Sequence, residues 1–223
     1  FTFKLGFKKL KSFFFIFVLI CFQGFIGWYM VSSGLVDRVD VSHFRLSVHL
    51  LIAFFIISLI FWNYLKLQNF NFPKDGLYKI IPLVFLTLIF IQIVIGAFVS
   101  GMDAGKIYNS WPLMGTSYFP NDNTFIDLFF LEAFSNPSLV QFMHRNLAYF
   151  ILVFYLFILF QVFKKDLIGL FLIIKIVGFL LSIQIILGIL TLLNGAQIFI
   201  ASMHQISSIF LVSSSIYFLY LNN

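Results

Sequence analysis

Three histidines at matching places in apolar runs are the residues of this chain best suited to chemistry. His49, His144 and His204 each lie about seven residues, or roughly 10 Å, inside a stretch that reads as a helix. An ionisable side chain in hydrocarbon costs free energy unless it is paired, so such a residue is a functional candidate. Two imidazoles on facing helices could ligate a haem iron from both sides through neutral nitrogens. The alternative for each is a neutral histidine satisfied by a neighbouring helix.

Two arginines stand close to these histidines. Arg145 follows His144 directly, and Arg45 lies one turn before His49. A haem brings two carboxylates, and the guanidinium fork matches carboxylate geometry. We therefore predict that Arg45 and Arg145 bind haem propionates. His43, at the very start of its helix, is predicted to be incidental.

A Gln-x-x-x-Gly motif occurs late in three of the apolar runs. Its copies are "FQGFIG" with Gln23 and Gly27, "IQIVIG" with Gln92 and Gly96, and "IQIILG" with Gln184 and Gly188. Small residues let helices approach closely, so a packing face is one interpretation. The other is that the glutamine amide binds a buried group, such as a ligand histidine or a haem edge. On that interpretation Gln92 and Gln184 belong to a cofactor site.

Each motif copy is followed by a connection and a returning helix that carries one histidine. This spacing predicts three copies of one helix hairpin. Membrane proteins with internal repeats tend to pair them about a pseudo-two-fold axis. Because three is odd and the sequence starts at Phe1, we predict an eight-helix protein of two pseudo-symmetric four-helix bundles, with its first hairpin absent here.

The composition indicates an all-α integral membrane protein. Of the 223 residues, 61% are hydrophobic and 10% are charged, and mean hydropathy is +1.05. Soluble domains are about 25% charged. Runs long enough to span a bilayer are predicted at about 13–31, 43–65, 79–99, 138–162, 168–192 and 198–220. The single cysteine, Cys21, excludes a disulfide framework and a cysteine-based metal site within this sequence.

Lysines mark alternate connections between these spans. They occur at the start, between the second and third spans, and between the fourth and fifth: Lys4, Lys8, Lys9, Lys11, Lys66, Lys74, Lys79, Lys164 and Lys165. The positive-inside rule then places both termini on the cytoplasmic or matrix side and the histidines near the outer surface. The net charge of +6 thus follows from membrane topology, and nucleic acid is not expected as a partner.

Three segments follow from this layout. Residues 1–66 are predicted to be the second helix pair of the N-terminal half, 67–78 an inner connecting loop, and 79–223 the C-terminal four-helix bundle. The outer connection 100–137 is rich in Gly, Pro, Asn and aromatic residues, which predicts an ordered loop with short interfacial helices. Asn136 and Pro137 are predicted to cap and begin the fourth helix.

Several segments together resemble the haem A synthases, in particular the mitochondrial and alphaproteobacterial members. They are "CFQGFIGWYMVSSGL" followed by "RLSVHL", then "GAFVSGMDAGKIYNSWPLMG", "VQFMHRNLAY" and "LGILTLLNGAQIFIASMHQISS". The resemblance covers nearly the whole chain. The region from Gly96 to Gly115 is its most specific part.

That resemblance implies an enzyme that oxidises the C8 methyl group of haem O to a formyl group, giving haem A for cytochrome c oxidase. It implies a haem b held between His144 and His204 and a substrate haem bound by His49. A further histidine and a carboxylate of the substrate site would lie upstream of Phe1. Gln141 stands at the repeat-equivalent position before His144, so the C-terminal half supplies no substitute acid.

The resemblance also implies partners and a place in the cell. We expect haem O as substrate, a ferredoxin-like protein or a quinol as electron donor, and contacts with haem O synthase or a second copy of the protein. The bilayer would be the bacterial plasma membrane or the mitochondrial inner membrane.

Two other function classes use similar features. A diheme b-type electron-transfer protein also carries helix-borne histidine pairs, although it usually places haems near both membrane faces. A transporter or structural membrane protein would account for the repeats alone. It would leave the His144–Arg145 pair without a role.

Overall fold

Six long helices form the body of the described chain. The computed structural model describes residues 7–34, 41–68, 73 and 75–222. The helices are α1 (Phe7–Gly34), α2 (His43–Leu67), α3 (Ile80–Gly101), α4 (Pro137–Lys164), α5 (Ile168–Leu193) and α6 (Ile198–Leu221). Each is long and apolar enough to cross a membrane. The six predicted spans and the all-helical fold class are confirmed, and the chain is a multi-pass membrane protein; the eight-helix arrangement stays a prediction.

Helix boundaries follow local sequence signals. Asn136 caps α4, and its side-chain oxygen accepts a hydrogen bond of 3.2 Å from the backbone N–H of Leu139. Pro137, whose missing N–H costs nothing in a first turn, begins the helix. The predicted cap and first residue of α4 are confirmed. Lys66 and Lys164 lie in the last turns of α2 and α4.

Helices α3 to α6 form a closed four-helix bundle. Helix α3 packs on α4, α4 on α5, α5 on α6, and α6 back on α3. This order places α4 and α6 at diagonally opposite corners. Helix α2 packs outside the bundle against α3 and α6, and α1 packs on α2.

The main apolar core fills this bundle over most of its length. It is built from buried aliphatic and aromatic side chains of α2 to α6, including Phe85, Ile158, Leu170, Val212 and Phe218. A second, smaller cluster of Ile95, Phe98 and Val140 lies beside it. Helix α1 adds little to either core, because most of its described side chains are exposed. The bundle is therefore the well-packed part of the described chain.

The end of the bundle that carries the long connection between α3 and α4 is called the outer end here. Three short 3-10 helices, Ala104–Lys106, Phe125–Phe129 and Leu131–Ser135, lie in this connection. The first contacts α3, α4 and α5, and the last contacts α4. The prediction of an ordered loop with short helical pieces is confirmed.

At the opposite, inner end, the last turn of α6 holds the connection that precedes α3. The Asn222 side chain accepts from the Leu77 N–H at 2.7 Å and donates to the Leu77 carbonyl at 3.0 Å. Lys165 lies 5.1 Å from the ring centroid of Tyr78. Lys4 and Lys74, two of the lysines used in the sequence argument for the topology, lie outside the described residues.

Candidate functional site

The three helix hairpins hold their histidines with the same glutamine contact. In each hairpin the glutamine amide nitrogen donates to the backbone carbonyl of the histidine at 3.0 Å: Gln23 to His49, Gln92 to His144, and Gln184 to His204. The same nitrogen lies 3.2 to 3.3 Å from an imidazole nitrogen. The glutamines therefore contact the histidines, as the second interpretation of the motif expected.

The glycines of the motif make room for the imidazole rings. A Cβ added at Gly27, Gly96 or Gly188 would lie 3.0 to 3.1 Å from the Cε1 atom of the histidine in the same hairpin. Contacts that short force a neighbour to move, whereas glycine leaves the space that the ring fills. The spacing of four residues puts glutamine and glycine on one helix face. We call this arrangement a cradle: the glutamine amide contacts the histidine, and the glycine four residues later leaves space for the imidazole ring.

All three histidines lie at one depth below the outer end. His49 is six residues after the start of α2, His144 seven after the start of α4, and His204 six after the start of α6. At 1.5 Å per residue each lies about 10 Å inside its helix. The depth expected from the sequence agrees with these helix starts.

Two of the histidines belong to the diagonal helices of the bundle. His144 is on α4 and His204 is on α6. His49 is on α2, outside the ring of four helices. The fold therefore brings His144 and His204 together in one bundle and places His49 in a separate hairpin.

Arg145 holds the outer loop. Its Nη1 atom donates to the carbonyls of Ser110 at 3.0 Å and Leu113 at 3.3 Å, and its Nη2 atom donates to the Tyr108 carbonyl at 2.9 Å. Its Nε atom is buried and has no hydrogen-bond partner in the part of the chain that the structure describes. The residue after His144 thus ties the loop to the helix that carries that histidine, and one of its donors is left over.

Gln141, one turn before His144, reinforces this contact. It is buried, and its amide nitrogen donates to the Tyr108 carbonyl at 3.1 Å. Two donors from neighbouring turns of α4 therefore meet one loop carbonyl. Gln141 acts here as a loop anchor.

A carboxylate completes the attachment of the loop to α4. Asp122 accepts from the Tyr108 hydroxyl at 2.9 Å and from the Ser138 hydroxyl at 2.6 Å. Burial alone would raise the pKa of Asp122, but the hydrogen bonds from Ser138, Tyr108 and Asn123 outweigh it and lower that pKa. Burial and the bond to Asp122 raise the pKa of the Tyr108 hydroxyl.

Arg45 and His43 lie at the outer end of α2. The Arg45 guanidinium carbon is 5.1 Å from the ring centroid of Tyr29 on α1, within cation–π range. The His43 ring packs edge-on against Phe98 of α3 at 5.4 Å. Gly101 allows this approach, because a Cβ there would lie 2.8 Å from the His43 Cα. His43 therefore packs between α2 and α3, whereas Arg45 contacts α1, the other helix of its own hairpin.

The sequence argument missed Tyr108 and Asp122, which attach the loop to α4, and Ser207. The Ser207 hydroxyl contacts the Gln184 side-chain oxygen and lies 2.9 Å from the His204 carbonyl. A hydroxyl three residues after a histidine was the available signal. The other copies have Ile52 and Leu147 at that position.

The donor set suits a haem iron better than a bare metal ion. Among the described residues, no three His, Cys, Asp or Glu side chains converge. A porphyrin already supplies four nitrogens, so its iron needs one imidazole on each side. His144 and His204 offer one imidazole each from diagonal helices, and each ring is held by its cradle. The residues present fit a haem between α4 and α6.

This fold and site define a multi-pass membrane protein in which each of the three described helix hairpins holds one histidine against a glutamine near the outer end. The chain belongs to the COX15-CtaA family, described as cytochrome oxidase assembly protein, whose model matches residues 1–216. This family membership confirms the resemblance noted in the sequence.

Curated relatives agree with this assignment. The chain is 47% identical over 225 residues to the protein named Heme A synthase of Pelagibacter ubique, covering 99% of this chain and 66% of that protein. It is 39% identical over 213 residues to Heme A synthase of Rickettsia prowazekii, covering 92% and 63%. Heme A synthase of Flavobacterium johnsoniae is 37% identical over 229 residues, covering 97% and 65%. The chain thus spans slightly less than two thirds of the length of these relatives.

Proposed function

We propose that the protein containing this chain is a haem A synthase, which oxidises the C8 methyl group of haem O to a formyl group. Its family and the names of its relatives support this activity. The observation that carries the proposal is the pair of cradled histidines, His144 and His204, on diagonal helices of one bundle. The common depth of all three histidines favours a synthase over a diheme carrier with haems near both faces.

We assign His144 and His204 as the two ligands of haem b, which would supply reversible one-electron transfer when bound. The cradles keep each imidazole at a fixed place on its helix, which reduces the ordering that ligation requires. The bundle core below them excludes water. The loop anchored by Arg145 and Gln141 covers the outer end of the same bundle.

We assign His49 as a ligand of the substrate haem. His49 has the same cradle as the other two histidines, but the α1–α2 hairpin lies outside the four-helix bundle. Most of the described side chains of α1 are exposed. In the eight-helix arrangement that we propose, a further hairpin would close this half and contribute the second substrate-site histidine. Residues 1–66 then belong to the substrate half and 79–223 to the haem b half.

Propionate binding is proposed for both arginines. Arg145 has a buried Nε donor without a partner, which a carboxylate at the outer end could engage. Arg45 lies at the equivalent end of the first hairpin, stacked on Tyr29. Arg145 therefore has two tasks in this proposal, since its Nη atoms hold the loop.

We place the protein in the bacterial plasma membrane or the mitochondrial inner membrane, with both ends of this chain on the cytoplasmic or matrix side. The described lysines at the inner helix ends, Lys66, Lys79, Lys164 and Lys165, support that orientation. A ferredoxin-like protein or a quinol is proposed as the electron donor. Haem O synthase and a second copy of the chain are proposed as neighbours in the membrane.

The proposal is tested by extracting haems from a host that makes haem O but lacks its own synthase. Expression of the full-length protein should convert haem O to haem A, as resolved by reversed-phase chromatography and mass spectrometry. His49→Ala should abolish this conversion and keep the haem b absorption of the purified protein. Haem O left unchanged by a folded, haem b-loaded wild-type protein would refute the proposed activity.

A further inference from the structure

The glutamine of the third hairpin is fixed at both ends of its amide. The Gln184 amide nitrogen donates to the His204 carbonyl at 3.0 Å, and its oxygen contacts the Ser207 hydroxyl. The hydroxyl also lies 2.9 Å from the His204 carbonyl, but that carbonyl already accepts from the amide nitrogen, so the single hydroxyl proton satisfies both oxygens only when it is donated to Gln184. The Ser207 hydroxyl therefore donates to the Gln184 oxygen.

The other two copies lack this closure. The side-chain oxygens of Gln23 and Gln92 are buried and have no hydrogen-bond partner among the described residues. Ile52 and Leu147 stand where the third hairpin has Ser207, and neither can donate a hydrogen bond. A buried carbonyl without a donor pays a desolvation cost, so these two amides are less firmly held.

We propose that Ser207 is a positioning residue that fixes Gln184, and through it makes His204 the more rigidly oriented of the two histidines in the bundle. His144 is held by Gln92 without such a lock and keeps more rotational freedom. One ligand of the pair is then fixed and the other adjusts to the group bound between them. This inference rests on the proposed binding of haem by His144 and His204.

The ring plane of an axial histidine affects the electronic structure of a low-spin haem, so orientation has its own readout. Electron paramagnetic resonance of the oxidised, haem-loaded full-length protein should show a shifted and broadened gmax signal in Ser207→Ala. Loss of haem to apomyoglobin should become several-fold faster. Ser207→Thr, which keeps the hydroxyl, should restore both properties.

Ser208→Ala is the matched control. Ser208 also lies on α6, but its hydroxyl bonds to the Gln205 carbonyl of its own helix at 2.5 Å. This variant should leave the gmax signal and the rate of haem loss unchanged. A merely structural effect of removing a hydroxyl from α6 would lower thermal stability in both variants and leave the resonance of both in place.

A double-variant cycle tests whether Ser207 acts through Gln184. If it does, Ser207→Ala should add no further shift in a Gln184→Leu background. Equal shifts in the presence and absence of Gln184 would overturn the lock, as would an unshifted Ser207→Ala protein that retains haem. Absence of haem from the folded wild-type protein is a different result, because it would refute the haem site itself.

Discussion

The α1–α2 hairpin and the α3–α6 bundle carry the same cradle in different surroundings. Gln23 and Gln92 contact their histidines at equal distances of 3.0 Å to the backbone carbonyl. Yet α1 packs mainly on α2. In the most apolar stretch of α1 only 6% of the residues are buried, against 28% in the corresponding stretches of α3, α5 and α6. Two helices are therefore enough to build the contact between glutamine and histidine, whereas the closed bundle places two such histidines in one four-helix unit.

The largest effect is expected where the bundle closes. The Tyr155 hydroxyl of α4 donates to the Ile174 carbonyl of α5 at 3.0 Å, and Gly178 lies one turn further along α5. A Cβ at Gly178 would lie 2.0 Å from that hydroxyl. Gly178→Ala should separate α4 from α5 and cost about 3 kcal/mol, at the upper end of overpacking penalties. The midpoint of thermal unfolding in detergent measures this loss.

Gly24→Ala is the control for that substitution. Gly24 lies on α1 with no atom within 4 Å of an added Cβ. Alanine there should leave stability unchanged or raise it by up to about 1 kcal/mol through helix propensity. If Gly24→Ala destabilised the protein as much as Gly178→Ala, this would contradict the claim that the contact between α4 and α5 contributes more to stability than α1 does.

A smaller and more selective effect is expected in the cradles. Gly96→Ala puts a Cβ 3.0 Å from the His144 Cε1 atom and should displace that ring, at a cost of about 1 to 2 kcal/mol. The proposed haem b should then be lost or become high-spin in the absorption spectrum. Gly27→Ala is the equivalent change beside His49 and should leave that spectrum intact. Loss of haem b from both variants would show that the two cradles are not independent.

The smallest effect concerns the long loop that joins α3 to α4. The pKa of Asp122 is held below its ordinary value, so its carboxylate stabilises the fold at neutral pH. That contribution is lost as the pH falls from about 4 through the lower pKa of the folded state. Amide hydrogen exchange in residues 104–124 should therefore rise on acidification. Asp122→Asn should show raised exchange already at pH 7 and a weaker pH dependence.

The sequence predicted the helices well because each signal is local. Six apolar runs gave six helices within a few residues, and Asn136 and Pro137 marked the start of α4. Repetition of Gln-x-x-x-Gly also placed the histidines at one depth. These features depend on spacing along one helix or between two neighbours, which a sequence displays directly.

The remainder of the site depends on contacts between distant segments. Arg145 bonds to Ser110, 35 residues earlier, and the diagonal placement of His144 and His204 follows from how four helices close. Neither contact has a fixed spacing that a single sequence could reveal. Ser207 was missed for another reason, since a serine on an apolar helix usually bonds to its own backbone.

Oxidised and reduced absorption spectra of the purified full-length protein, with a pyridine haemochromogen assay, test the central claim most directly. His144→Ala removes one imidazole of the proposed pair, and His49→Ala removes the cradled imidazole outside the bundle. The account predicts a low-spin b-type spectrum that is lost in His144→Ala and kept in His49→Ala. A b-type spectrum that survives His144→Ala, or a folded wild-type protein without haem, would contradict it.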